Sequence, residues 1–252
     1  MSHIFDLSGQ TAVVTGGNKG MGKHISLTLA DQGANVVIVS RSGAPEELLE
    51  TIRDKGVSAH ALKHDLSDID GISRLVESIY QHVDRVDILV NNAGVQRRSD
   101  AVEFSQEDWD FVQNVNAKAV FFLAQAIGKN MLENGSGKII NIASLLSFQG
   151  GIRVPAYAAS KGAVAMFTKS LSNEWASSGV NVNAVAPGYI ATEMNEALIN
   201  DEDRSKQILD RIPAGRWGDP SDIAGTVAFL ASKASDYING EIITVDGGWM
   251  GR

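Results

Sequence analysis

Short apolar runs alternate along the chain with segments whose apolar residues recur every three to four positions. Runs of strand length fall at 11–16, 35–39, 57–62, 86–90, 138–142, 180–185 and 241–245. Continuous apolar character over such short lengths fits strands covered on both faces. Helical spacing follows the first run through Ile25, Leu27, Leu29 and Ala30. It returns near 45–55 and at 68–83, where Ile72, Leu75, Val76 and Ile79 share a face. The segment 106–132 continues the pattern through Val112, Val115, Ala119, Phe122 and Ile127, and a further long helix is expected over 155–177. This alternation predicts one α/β domain over the whole chain, a doubly wound parallel sheet of about seven strands with helices on both faces. The stretch 188–218 breaks the regularity. It is polar, carries Asp201-Glu-Asp-Arg204, Pro213 and Gly215, and reads as a helical excursion forming a substrate lid, or more plainly as a variable surface loop.

The chemically unusual residues stand just after the strands: a glycine turn, Arg41, Asp65, Asn92, Ser144 and Pro187. In an open α/β sheet that edge is where ligands bind. After the first strand come Gly16, Gly17, Gly20 and Gly22, then a helix. Glycines allow a tight turn and let a pyrophosphate approach helix N-terminal N–H groups. The spacing Gly16-x-x-x-Gly20-x-Gly22 is not the G-x-G-x-x-G fingerprint. The second strand leads into Ser40-Arg41-Ser42, with no acidic residue there to receive the ribose hydroxyls of NAD. Arg41, with Lys19 in the glycine loop, suits the 2′-phosphate of NADP, so NADP(H) is expected over NAD(H).

Tyr157 and Lys161 stand four apart in Tyr157-Ala-Ala-Ser160-Lys161, with Ser144 thirteen residues upstream. On a helix, positions 157 and 161 share a face. A phenol has an unperturbed pKa of roughly 10, and an ammonium one turn away is expected to lower it. A serine hydroxyl from a neighbouring strand end can hold a carbonyl or alcohol oxygen beside the tyrosine. Together these groups can interconvert an alcohol and a ketone.

Composition narrows the classes. The chain has 252 residues, 44% hydrophobic and 21% charged, as in ordinary soluble globules. It has no cysteine, so disulfides and thiolate metal sites are excluded. The formal charge of −8 disfavours nucleic acid as a partner. No long apolar run predicts a membrane span, and the N-terminus lacks the basic and apolar regions of a signal peptide. A cytoplasmic location is expected. His60 and His64 beside Asp65 have no third ligand nearby, and no metal is expected.

Taken together and in order, Thr15-Gly-Gly-Asn-Lys-Gly-Met-Gly22, Asn91-Asn-Ala-Gly94, Ser144, Tyr157-Ala-Ala-Ser-Lys161 and Pro187-Gly188 resemble the short-chain dehydrogenase/reductase family over essentially the whole chain. The resemblance implies a Rossmann-type fold and catalysis by Tyr157 as general acid/base. Lys161 would tune the phenol and bind the nicotinamide ribose, Ser144 would orient the substrate oxygen, and Asn116 would anchor a proton-relay water. It places Gly16, Asn18, Lys19, Gly20, Met21, Gly22, Ser40, Arg41, Ser42, Asp65, Leu66, Asn92, Ala93 and Gly94 along the cofactor. Pro187, Gly188, Ile190 and Thr192 would lie near the carboxamide, with Tyr157 and Lys161 at the reacting end. It also implies a homotetramer packed through the helices near 106–132 and 156–177.

Within that family, the stretches 141–155, 208–218 and 245–252 are similar to the bacterial dehydrogenases of 2-deoxygluconate and 2-keto-3-deoxygluconate. Lys19 and Arg41 depart from the NAD-using members of that branch. The alternatives are an NADPH-dependent reductase of 4-deoxy-5-hexoseulose uronate, a gluconate 5-dehydrogenase, a 3-oxoacyl-carrier-protein reductase or, outside enzymes, a nucleotide-binding scaffold or redox sensor. A sugar acid carries a carboxylate, which calls for an arginine fork. Arg153 is the first candidate, then Arg97 or Arg98, with Gln149 placed to meet a sugar hydroxyl.

Overall fold

A computed structural model describes residues 3–252; Met1 and Ser2, part of the N-terminal stretch considered above, lie outside the described residues. Seven strands form one sheet: β1 Thr11–Thr15, β2 Asn35–Ser40, β3 Ala59–Lys63, β4 Ile88–Asn91, β5 Gly137–Ile142, β6 Val180–Pro187 and β7 Ile242–Val245. Their order is β3-β2-β1-β4-β5-β6-β7. Every pairing is parallel. The order reverses between β1 and β4, so their carboxyl ends open a crevice in which the two connections run to opposite sides.

The long apolar runs have a direct cause: both faces of the sheet are covered. Ala12, Val14, Val36, Ile38, Ile88 and Val90 face one layer, formed by α1 (Gly20–Asp31), α2 (Glu46–Arg53) and α9 (Pro220–Ala231). Val13, Val37, Val39 and Leu89 face the other, with α3 (Ile72–Tyr80), α5 (Ala119–Glu133) and α6 (Pro155–Trp175). Neighbouring residues of one strand thus feed two cores. Most boundaries fall within a few residues of those expected, which is the usual scatter at element ends.

Two elements differ from expectation. The segment 106–132 is not one α-helix. It divides into α4 (Gln106–Gln113), a π-helical turn at Asn114–Lys118 and α5. The turn closes with Ala119 N–H donating to Asn114 O, five residues back. Apolar spacing survives such an inserted residue, so periodicity alone does not show it. The second difference is α9, whose register the apolar pattern between 219 and 240 did not suggest. Four of its twelve residues are alanine or glycine, which blurs the apolar stripe. Between β6 and α9, the excursion contains a 3-10 turn at Glu193–Asn195 and two short helices, α7 (Glu196–Ile199) and α8 (Glu202–Leu209).

Candidate active site

The glycine loop links β1 to α1 and is shaped by close backbone approach. Gly16 has φ +63, and a Cβ there would sit 3.1 Å from Ala93 Cα and Asn92 Nδ2. A Cβ on Gly22 would stand 2.1 Å from Gly16 O. Asn92 braces this loop: its Nδ2 donates to Thr15 O at 2.9 Å and Gly16 O at 3.3 Å. The Asn92 and Ala93 N–H groups both donate to Thr15 Oγ1 at 3.0 Å. Gly20 is more open, with φ +51 and only Thr192 Cγ2 near a Cβ, at 3.8 Å. At Gly94 a Cβ would project towards Asn116 Oδ1 and Lys161 Nζ, at 3.6 and 3.9 Å. A bare backbone at Gly20 and Gly94 therefore leaves a lane from the α1 N-terminus towards Lys161. That cradle fits an extended dinucleotide.

At the other end of the lane, Asn18 Nδ2 donates to Ser42 Oγ at 3.2 Å, and Ser40 Oγ donates to Gly43 O at 2.7 Å. Arg41 is exposed. Asp65 accepts from Ser67 N and Oγ at 2.9 and 2.8 Å. These bonds hold its carboxyl below the usual carboxylate range, helped weakly by Arg41. Leu66 and Met21 pack into the cores on opposite faces of the sheet. Lys19 ion-pairs with Glu193. On the far side, Gly188 N donates to Val245 O, and Ile190 bridges to Gly218. These contacts fix the path from Pro187 to Thr192 beside the loop.

Ser144, Tyr157 and Lys161 meet at the end of β5. Ser144 is extended and opens a 3-10 turn, its Oγ accepting from Leu146 N at 3.1 Å. Pro155 at the first position of α6 sets the start of the helix that carries Tyr157 and Lys161. Lys161 Nζ donates to Ile142 O at 2.6 Å and lies 5.7 Å from the Tyr157 ring centroid. Burial pushes the Tyr157 phenol above its ordinary value, opposed by the neighbouring Ser144 hydroxyl. This corrects the expected lowering by the ammonium. Lys161 is itself buried, and burial lowers it to about 8, so its charge is disfavoured where it would have to act.

Asn116 lies in the π-helical turn and is fully buried. Its Oδ1 accepts from Val95 N at 2.8 Å, and its Nδ2 donates to Val95 O at 2.9 Å and Ser160 Oγ at 3.2 Å. Ser160 Oγ in turn donates to Tyr157 O at 2.7 Å. Ser147 Oγ donates to Lys161 O, also at 2.7 Å. Sequence reasoning passed over Ser160, although it lies within the Tyr-x-x-Ser-Lys string. It also passed over Ser147, Thr15 and Glu193, which carry no local signal.

The arginines sit on the rim. Arg153 has φ +65, the one positive φ at a non-glycine among the described residues. Its Nε lies 2.9 Å from Asp100 Oδ1, and its carbonyl accepts from Ser99 N. Arg97 is held by Asp108 at 3.0 Å and stacks over Phe111 at 4.6 Å. Arg98 is exposed beside Gln96. Gln149 Oε1 accepts from Trp249 Nε1 at 3.4 Å, which joins the rim to the C-terminal turn.

A parallel sheet with a glycine cradle and a Ser–Tyr–Lys group on one edge suits a nucleotide-dependent oxidoreductase, and known proteins are similar over nearly the whole chain. A family model described as enoyl-(acyl carrier protein) reductase matches residues 16–250. A 2-dehydro-3-deoxy-D-gluconate 5-dehydrogenase of Dickeya dadantii is 52% identical over 251 residues, covering 99% of both chains. A crystal structure from Agrobacterium tumefaciens, assigned as a 2-deoxy-D-gluconate 3-dehydrogenase with bound NADP, is 52% identical with a TM-score of 0.90. It covers 99% of this chain and 100% of that one. Another, from Beutenbergia cavernae, is assigned as an NAD(P)-dependent gluconate 5-dehydrogenase with bound NADP at low occupancy. It is 46% identical with a TM-score of 0.96, over 99% of this chain and 100% of that one. The chain belongs to the short-chain dehydrogenase/reductase family and is an NAD(P)-dependent oxidoreductase.

Proposed function

We propose that the protein interconverts a secondary alcohol and a ketone on a sugar acid of the 2-keto-3-deoxygluconate or 2-deoxygluconate type, using NADP(H) ahead of NAD(H). The observation that carries the chemistry is the junction of Ser144, Tyr157 and Lys161 at the end of β5, braced through Ser147, Ser160 and Asn116. Tyr157 Oη gives its proton to the carbonyl oxygen in reduction and takes it back in oxidation. Burial holds the phenol above its ordinary value, so at neutral pH it is protonated and can serve as the acid in reduction. Ser144 Oγ holds the reacting oxygen. Lys161 carries a labile proton near neutral pH behind the phenol, and Asn116 braces the turn beside it through Val95 and Ser160. When bound, the nicotinamide supplies or accepts the hydride.

The sugar acid rests on the relatives of similar length and high identity named for such substrates. Gluconate oxidised at carbon 5 is the second reading, favoured by the Beutenbergia relative. On the rim, Arg153 and Arg98 are our assignments for the carboxylate, with Gln149 at a hydroxyl. Arg153 holds a strained left-handed backbone four residues before Tyr157, and its single exposed partner is Asp100. Arg97 is held more firmly, by Asp108 and by stacking over Phe111. The NADP(H) preference is supported by exposed Arg41 after β2 and by relatives that hold NADP. A cytoplasmic location is consistent with a chain lacking cysteine and, among the described residues, lacking any helix long and apolar enough to cross a membrane. A homotetramer is part of the same proposal.

The test is a panel of 2-keto-3-deoxygluconate, 2-deoxygluconate, 4-deoxy-5-hexoseulose uronate, gluconate and a 3-oxoacyl thioester, each with both nicotinamides. We expect the highest kcat/KM on a deoxy sugar acid with the phosphorylated cofactor. A preference for the thioester would overturn the substrate class, and a preference for NADH would overturn the cofactor assignment.

A further inference from the structure

Lys19 immediately precedes α1 and is extended, with φ −154 and ψ 170 and no side-chain cap bond. Its ammonium crosses the mouth of the lane to Glu193, 174 residues away in sequence. Glu193 opens the 3-10 turn at the start of the excursion. Thr192, next to it, comes within 3.8 Å of a Cβ placed on Gly20. On the other side of Lys19, Asn18 touches Ser42, the residue after Arg41. Lys19 therefore stands between two anion positions. One is the Glu193 carboxylate. The other is the end of β2, where Arg41 would meet a 2′-phosphate.

We propose that Glu193 is a specificity-determining residue that competes with the cofactor 2′-phosphate for the Lys19 ammonium, and so sets how strongly NADPH is preferred to NADH. The proposal rests on the NADP(H) reading above. Both side chains of the pair are largely exposed, at 66% and 71%. An exposed pair of this kind shifts an equilibrium by about two- to fivefold. A phosphate dianion offers more charge and more acceptors than a carboxylate, so it can draw Lys19 away. Binding NADPH then carries the cost of breaking the pair. NADH has no such group, so Lys19 stays on Glu193 and no cost arises. Repulsion between Glu193 and the pyrophosphate is common to both cofactors and cancels in their ratio.

Dissociation constants for NADPH and NADH, measured by fluorescence titration, test this on the full chain and on Glu193→Gln, Lys19→Met and the double variant. The NADPH:NADH affinity ratio should rise about two- to fivefold in Glu193→Gln. It should fall in Lys19→Met, and Glu193→Gln should add nothing in that background. An unchanged ratio in Glu193→Gln overturns the competition. A lowered ratio also overturns it, because Glu193 would then be holding Lys19 in place for the phosphate. A rise that survives Lys19→Met does so too. The ratio of the unaltered protein tests the cofactor reading separately, whatever Glu193 does.

Discussion

Lys161 is 3% exposed, and its pKa of about 8 means that the folded chain holds this proton less tightly than the unfolded chain does. Between about 8 and the ordinary 10.5 the unfolded state binds more protons, so folding stability rises with pH through that window. Below pH 8 both states are protonated and the whole penalty stands, about 3 kcal/mol. Lys161→Met should abolish turnover yet remove this penalty, less what the Ile142 carbonyl loses with its donor. The stability difference between variant and parent should therefore shift against the variant as pH rises from 8 to 10. Denaturant unfolding at a series of pH values checks it; a difference constant with pH would show that the buried ammonium carries no such cost. The grouping of Ser144, Tyr157 and Lys161 was legible because two of them share a helix face. The direction of the phenol shift was not, because it depends on burial, which spacing does not encode. Glu193 was illegible for a simpler reason: its partner is remote in the chain.

At the scale of elements, the connection from β1 to α1 depends on absent side chains. Gly22→Ala would place a methyl against Gly16 O and the Asn92 amide, at 2.1 and 2.5 Å. Backbone cannot yield as a side-chain tip does. We expect a loss of about 1–3 kcal/mol in stability and at least a tenfold weaker NADPH affinity. Melting temperatures with and without NADPH check both, and an unchanged ligand-induced shift would contradict the assignment of the cradle. Strands were readable because a doubly covered sheet demands apolar runs. The α4–α5 break was not readable, since a π-helical turn keeps the face of the helix nearly in register. The start of α9 did have a signal that apolar spacing ignores. Asp219 and Asp222 form a capping box around Pro220 at the first turn.

For the whole molecule, the exposed apolar residues of α5 and α6 raise the question of assembly. Phe122 is 40% and Met166 59% exposed, while Phe121 and Phe167 pack edge-on at 5.8 Å beneath them. Large apolar side chains on adjacent helices favour contact with another copy. We expect sedimentation velocity to show a tetramer and Met166→Glu to shift it to smaller species; a monomer for the unaltered protein would contradict the proposal.

The Asn116 amide has a further consequence. Both its donors and its acceptor are spent on Val95 and Ser160 before any substrate arrives. The reactive half of the crevice is thus assembled by folding itself, with no reorganisation left for the moment of reaction. On our proposal, recognition falls instead to the rim and the excursion over 188–218, whose helices are short. Chemistry and selectivity are therefore physically separable in this chain. A new substrate range can be grafted onto the second without disturbing the first.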